Sequence, residues 1–227
     1  MNVRKTMARA AGIGAVATAA LGLFSTGAAN ADTFVPLPGG SITETMDDGT
    51  VVTITMTGES ANINPSMGST PLHRNAWVSG SARVQLSGTN GNAGGKIVPG
   101  YVVGCQVNIS GGGANGGATG GVDFGDQVSV SKSGTGLSGG GNLTLGPGQS
   151  KAFYILDQEA ADDFGSEAHF VRNKFKGDSG SVTWSDETIG LNGCGGYAQA
   201  RSFVAVQVET DNVITSYTLW GQPFSLG

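Results

Sequence analysis

Several features that would fix a function quickly are scarce or missing in this 227-residue chain. Two histidines and two cysteines, widely separated, are too few to build a Cys/His zinc centre. Basic residues are sparse: 12 Lys and Arg face 17 Asp and Glu, a net charge of −5. That balance excludes the basic stripe that nucleic acid requires. No strand–GxxxxGK[ST]–helix pattern surrounds the glycines, so they do not cradle phosphate. No stretch carries a helical period, and no internal repeat recurs. Beyond the first residues no apolar run reaches the length of a transmembrane helix. A soluble secreted protein fits that absence, and so does a membrane barrel whose strands need only about ten alternating residues each.

The N-terminus reads as an export signal. Arg4, Lys5 and Arg9 form a basic region, Ala10 to Phe24 is a short apolar run, and Ala29-Asn30-Ala31 is a small-residue cleavage site. Residues 1–31 are therefore expected to be a signal peptide, with the mature chain starting at Asp32. The leader carries three basic residues and no acid, which leaves a mature charge of about −8. In an exported chain the two cysteines point to one disulfide, Cys105–Cys194.

What the chain has in quantity is glycine, 40 residues of it. Roughly a third of Tyr101–Gly148 is glycine, and between Cys105 and Gly146 the charged residues are Asp123, Asp126 and Lys132. Glycine brings no side chain to bury and loses the most backbone entropy on ordering, so this stretch cannot build a core of its own. Its two ends nevertheless alternate. Val103, Cys105, Val107 and Ile109 are apolar between polar Gln106, Asn108 and Ser110; Leu137, Leu143 and Leu145 alternate with Ser138, Asn142 and Thr144. That is the pattern of two strands, each wet on one face and dry on the other.

The rest of the chain reads as short strands separated by turns. Ser41–Met46 and Thr50–Thr57 form a hairpin around Asp48-Gly49, a favoured two-residue turn. Ala61–Pro71 reads as turn-rich. Further strands are expected over Asn75–Leu86, Ile97–Ser110, Lys151–Asp157, Ala168–Phe175, Ser181–Trp184, Tyr197–Glu209 and Ile214–Trp220. Gln158–Glu167 is read as an exposed acidic loop. The fold class is all-β, a sandwich.

Three groups of residues could carry chemistry. Gly177-Asp178-Ser179-Gly180 resembles the nucleophile loop of chymotrypsin-like serine proteases, and His73, Asp123 and Ser179 follow that family's triad order. Ser181 stands where the loop expects a further glycine, and Gly-Asp and Ser-Gly pairs are also common turns. The acids Asp157, Glu159, Asp162, Asp163 and Glu167 do not have the spacing of an EF-hand calcium loop, and His169 is assigned no role. Asp123 and Asp126 lie midway between the two alternating strands, in a connection long enough to suggest function. If those strands formed a membrane hairpin repeated around a ring, each Asp would become a ring of carboxylates, which favours cations.

Pro71-Leu72, Arg74-Asn75, Trp77, Ser79-Gly80, Gly100-Tyr101, Gly104, Gly146-Pro147-Gly148, Arg201, Phe203, Ser216-Tyr217, Gly221, Pro223 and Phe224 stand in an order that resembles the MspA-type porins of mycolic-acid-containing bacteria, including Nocardia and Rhodococcus. The resemblance implies a goblet-shaped octamer. Residues 32–104 and 147–227 would form a rim β-sandwich, and 105–146 a long two-stranded stem hairpin. Eight hairpins would close an oligomeric transmembrane β-barrel, a size at which barrels hold water. The implied function is an outer-membrane porin passing small hydrophilic solutes by diffusion, with Asp123 and Asp126 at the constriction. Gln106, Asn108, Ser110, Asn142 and Thr144 would line the pore, and Val107, Ile109, Leu143 and Leu145 would meet lipid. The ring could be a homo-oligomer or include a paralogue. No cofactor, metal or chemical step is implied. Two other readings stay open at this point: a secreted serine hydrolase using Ser179, and a soluble β-sandwich that binds a partner.

Overall fold

The computed structural model describes residues 32–65, 72–88, 92–107, 142–143, 148–161, 163–165 and 167–227. The folded unit is Asp32–Gly227, and the proposed leader lies outside the described residues. Thirteen strands and no helix are present among the described residues.

The first sheet contains β1 (Thr33–Pro36), β2 (Gly40–Thr45), β3 (Val51–Pro65), β4 (Arg74–Ser87), β6 (Asn142–Leu143) and β11 (Ser179–Leu191). Its order is β1-β3-β4-β11-β6, and β2 also pairs with β3. The second sheet contains β5 (Ala93–Cys105), β7 (Ser150–Tyr154), β10 (Asn173–Lys176), β12 (Ala198–Thr210) and β13 (Ile214–Ser225). It runs β10-β5-β12-β13, with β7 also on β5. A separate hairpin joins β8 (Gln158–Ala161) to β9 (Glu167–Phe170).

Alternation along the strands makes the core. Val52, Ile54 and Met56 of β3, Ala82, Val84 and Leu86 of β4, and Val204, Val206 and Val208 of β12 are all buried in one cluster. Thr53, Thr55, Arg83 and Gln85 between them are not, as a two-residue period requires. Tyr101 of the second sheet and Trp184 of the first meet inside the sandwich: the indole Nε1–H donates to the Tyr101 hydroxyl at 3.2 Å. Gly80 makes room for this contact, because a Cβ there would sit 2.6 Å from the indole ring.

The hairpin around Asp48-Gly49 forms, with a larger loop than the expected two residues. Met46 N–H donates to the Thr50 carbonyl at 2.8 Å, so three residues turn the chain, and Gly49 takes the left-handed conformation with φ 85°. A left-handed glycine ending a three-residue loop is the second common hairpin solution. Asp48 accepts from Thr50 N–H at 3.0 Å and from the Thr210 hydroxyl at 2.6 Å. Strand β3 runs on to Pro65 where Ala61–Pro71 read as turns. A bulge between Thr57 and Ser60, with Gly58 at φ 64°, bends the strand without ending it. Strand β11 likewise outlasts the expected Ser181–Trp184, crossing a bulge between Trp184 and Glu187.

Pro99 lies in the middle of β5, where a missing N–H would ordinarily break the ladder. Its carbonyl accepts from Ile155 N–H at 3.1 Å. In an extended strand a residue's N–H and C=O point the same way, so the absent donor faces that same edge. There β10 covers Gly94–Ile97 and β7 covers Gly100–Gly104, and the proline sits in the break between them. Pairing with β12 on the other edge continues without interruption from Ala93 to Cys105.

The outer face of the second sheet is also dry in part. Val98, Phe203 and Ala205 are buried there with Val171. Tyr154 and Trp220 flank Phe203 at ring-centroid distances of 6.1 and 5.7 Å, and Gly100 lies beneath the Phe203 ring. The expected acidic loop is thus replaced by structure: the chain leaves at Ile155, forms β8 and β9, and returns at Val171 onto this apolar face. Burial of Ile155 and Val171 anchors a hairpin whose described side chains enter neither core cluster.

Candidate functional site

The part of the molecule with functional promise is the root of segment 108–147. Strand β5 delivers its first end and β7 receives its second. Cys105 N–H donates to the Gln149 carbonyl at 3.4 Å, and Gly148 N–H reaches the Cys105 and Gln106 carbonyls at 3.2 and 3.3 Å. The segment therefore leaves and rejoins the same edge of the second sheet. Two further backbone bonds brace it from the side: Gln106 N–H to the Tyr197 carbonyl at 2.9 Å, and Gly195 N–H to the Val107 carbonyl at 2.8 Å.

The expected disulfide is present. Cys105 and Cys194 are bonded across a sequence separation of 89. Both are buried, and the bond ties the root of the segment to the turn between β11 and β12.

Of the proposed pore residues, Gln106 is exposed at this root, and its Oε1 accepts from Tyr197 N–H at 3.4 Å. Val107, assigned to the opposite face, is 46% exposed. The backbone of Asn142 pairs in parallel with Gly190, and that of Leu143 with Leu191, along the edge of the first sheet. Asn108, Ser110, Ile109, Thr144, Leu145 and both constriction candidates, Asp123 and Asp126, lie outside the described residues.

The hydrolase constellation does not assemble. Ser179 is paired with Gln85 at one end of the β4–β11 ladder, whereas His73 precedes Arg74, which is paired with Leu191 at the other end. Eleven residues of extended strand put roughly 35 Å between them, far beyond hydrogen-bond reach. Gly177, with φ 86°, and Asp178 make the turn between β10 and β11.

Two features were not legible as sites. The first is Glu59, in the β3 bulge, which is 3% exposed. Neither carboxylate oxygen has a hydrogen-bond partner among the described residues. Burial pushes its pKa above the ordinary 4.5, against a smaller lowering by the neighbouring Ser202 hydroxyl, which does not reach hydrogen-bond geometry with it. A raised carboxyl pKa stabilises the fold fully below the ordinary value and loses that contribution as pH rises through the folded one. Glu59→Gln is therefore expected to stabilise the protein by on the order of 1 kcal/mol at pH 8, with the gain vanishing near pH 4. Urea midpoints at the two pH values check it; an equal shift at both would mean that ionisation is not the cause.

The second feature is the meeting of Asp157, Glu159 and His169. The sequence placed the two acids in a loop with Asp162, Asp163 and Glu167 and gave the histidine no role. In the structure their ligand atoms lie within 4.8 Å of one another.

No curated protein matches this chain. The MspA family profile matches residues 48–225, from β3 through β13 and including the segment rooted at the disulfide, and the chain accordingly belongs to the MspA family of porins.

Proposed function

We propose that this chain is one subunit of an oligomeric outer-membrane channel, with the sandwich as its rim and 105–146, beyond the root that β5 and β6 hold in the two sheets, as the hairpin it lends to a shared barrel. The observation that carries the reading is the rooting of segment 108–147: its ends emerge side by side from one sheet edge, cross-bonded at Cys105, Gln106, Gly148 and Gln149. A hairpin requires adjacent ends, and a single hairpin cannot close a barrel, so the edges must be satisfied by other copies. The family match supports a channel and an oligomer.

In this reading small hydrophilic solutes cross passively. Gln106, Asn108, Ser110, Asn142 and Thr144 face water, and Asp123 and Asp126, repeated around the ring, favour cations. Eight identical copies would give sixteen strands, within the range that leaves an aqueous bore.

The experiment is planar-bilayer recording in a salt gradient. Asp123→Asn with Asp126→Asn should move the reversal potential toward zero while channels still form. An unchanged reversal potential would remove both residues from the constriction. A purified chain that stays monomeric and passes no current would instead favour a soluble binding module.

A further inference from the structure

We infer that Asp157, Glu159 and His169 form a binding site for a first-row divalent cation of the zinc type. Glu159 and His169 are direct partners across the β8–β9 ladder. Asp157 precedes Glu159 by two residues, and two residues along an extended chain restore the same face. One imidazole and two carboxylates thus converge from both sides of a hairpin. His169 Nδ1 lies 2.8 Å from Asp157 Oδ1, with the two side chains only 28% and 23% exposed.

The donor set selects the chemistry. Calcium and magnesium take oxygen ligands, often six or more, and gain nothing from an imidazole. A borderline ion accepts one nitrogen and two oxygens, with a fourth position open to water. Ligands on a tetrahedron with bonds of about 2.1 Å are roughly 3.4 Å apart. The Asp157–His169 pair needs to open by a few tenths of an ångström, and the exposed Glu159 to swing inward. The base of the site is fixed: Ile155 and Val171, two residues outward from Asp157 and His169, are both buried, and Ile155 is hydrogen-bonded to Pro99. A two-stranded hairpin alone is marginal in water; an ion shared by both strands would pin it.

The test is calorimetric titration of zinc chloride into the purified, untagged full chain after chelator treatment at pH 7.5, with calcium chloride as a parallel titrant. One zinc per chain is expected, with no heat from calcium. His169→Ala should abolish binding. Glu159→Gln, which leaves the Asp157–His169 contact in place and guards against misfolding as the explanation, should weaken it by about tenfold or more. His73→Ala should have no effect. Absence of zinc binding, binding that survives His169→Ala, or binding lost in His73→Ala would each overturn the assignment.

Discussion

Removing the disulfide, as Cys105→Ala with Cys194→Ala, will lower the thermal midpoint by on the order of 10 °C. The bond closes a loop across 89 positions, and in the chain-entropy description a loop of that length constrains the unfolded state by about 4–5 kcal/mol. Both sulfurs are buried, so the alanines also leave a small void beside Tyr197 and the root of segment 108–147. Calorimetry of the variant against the oxidised parent measures the effect. A midpoint unchanged within 2–3 °C, that is, below about 1 kcal/mol, would mean that the hydrogen bonds at the root suffice without the covalent tie.

Trp184→Ala is the second large effect, with an expected loss of about 3–5 kcal/mol. The indole is 5% exposed, packs against Gly80, and donates to Tyr101 across the two sheets. Truncation opens a cavity between the sheets and orphans a buried hydroxyl, which itself costs roughly 1–3 kcal/mol. Tyr101→Phe should cost only the smaller part, because the ring stays and still meets Phe224 edge-on at a centroid distance of 6.2 Å. Urea denaturation of the two variants separates packing from hydrogen bonding. Equal losses would show that the hydrogen bond, not the cavity, dominates.

Sequence reasoning reached the sandwich because its core strands alternate cleanly. Val52, Ile54 and Met56, or Val204, Val206 and Val208, announce a dry face without help from anything distant. The cysteine pair was legible for a different reason, since a chain read as exported, with two thiols, has one bond to make. Bulges were not legible: Gly58 in Thr57-Gly58-Glu59 reads as a stop, and only pairing with β4 shows that the strand continues. The β8–β9 hairpin was hidden because what holds it, Ile155 and Val171 on the second sheet, lies outside it. His169 and Asp157 are twelve positions apart, and only the strand register brings them together. Glu59 looks like an ordinary surface acid in a polar run, yet the bulge turns it inward.

The pairing of β5 with β12 joins residues 93–105 to 198–210, with the glycine-rich stretch and six further strands in between. Such long-range closure is slow, because the intervening chain must give up its freedom before the contact returns anything. Ala198 stands opposite Cys105 in that ladder, and Cys194 is four positions earlier, so the two thiols come within bonding distance only when the end of the ladder has zipped. Oxidation would then act as a latch that records a finished sandwich, and a chain caught before that point would still present its sheet edges to its neighbours.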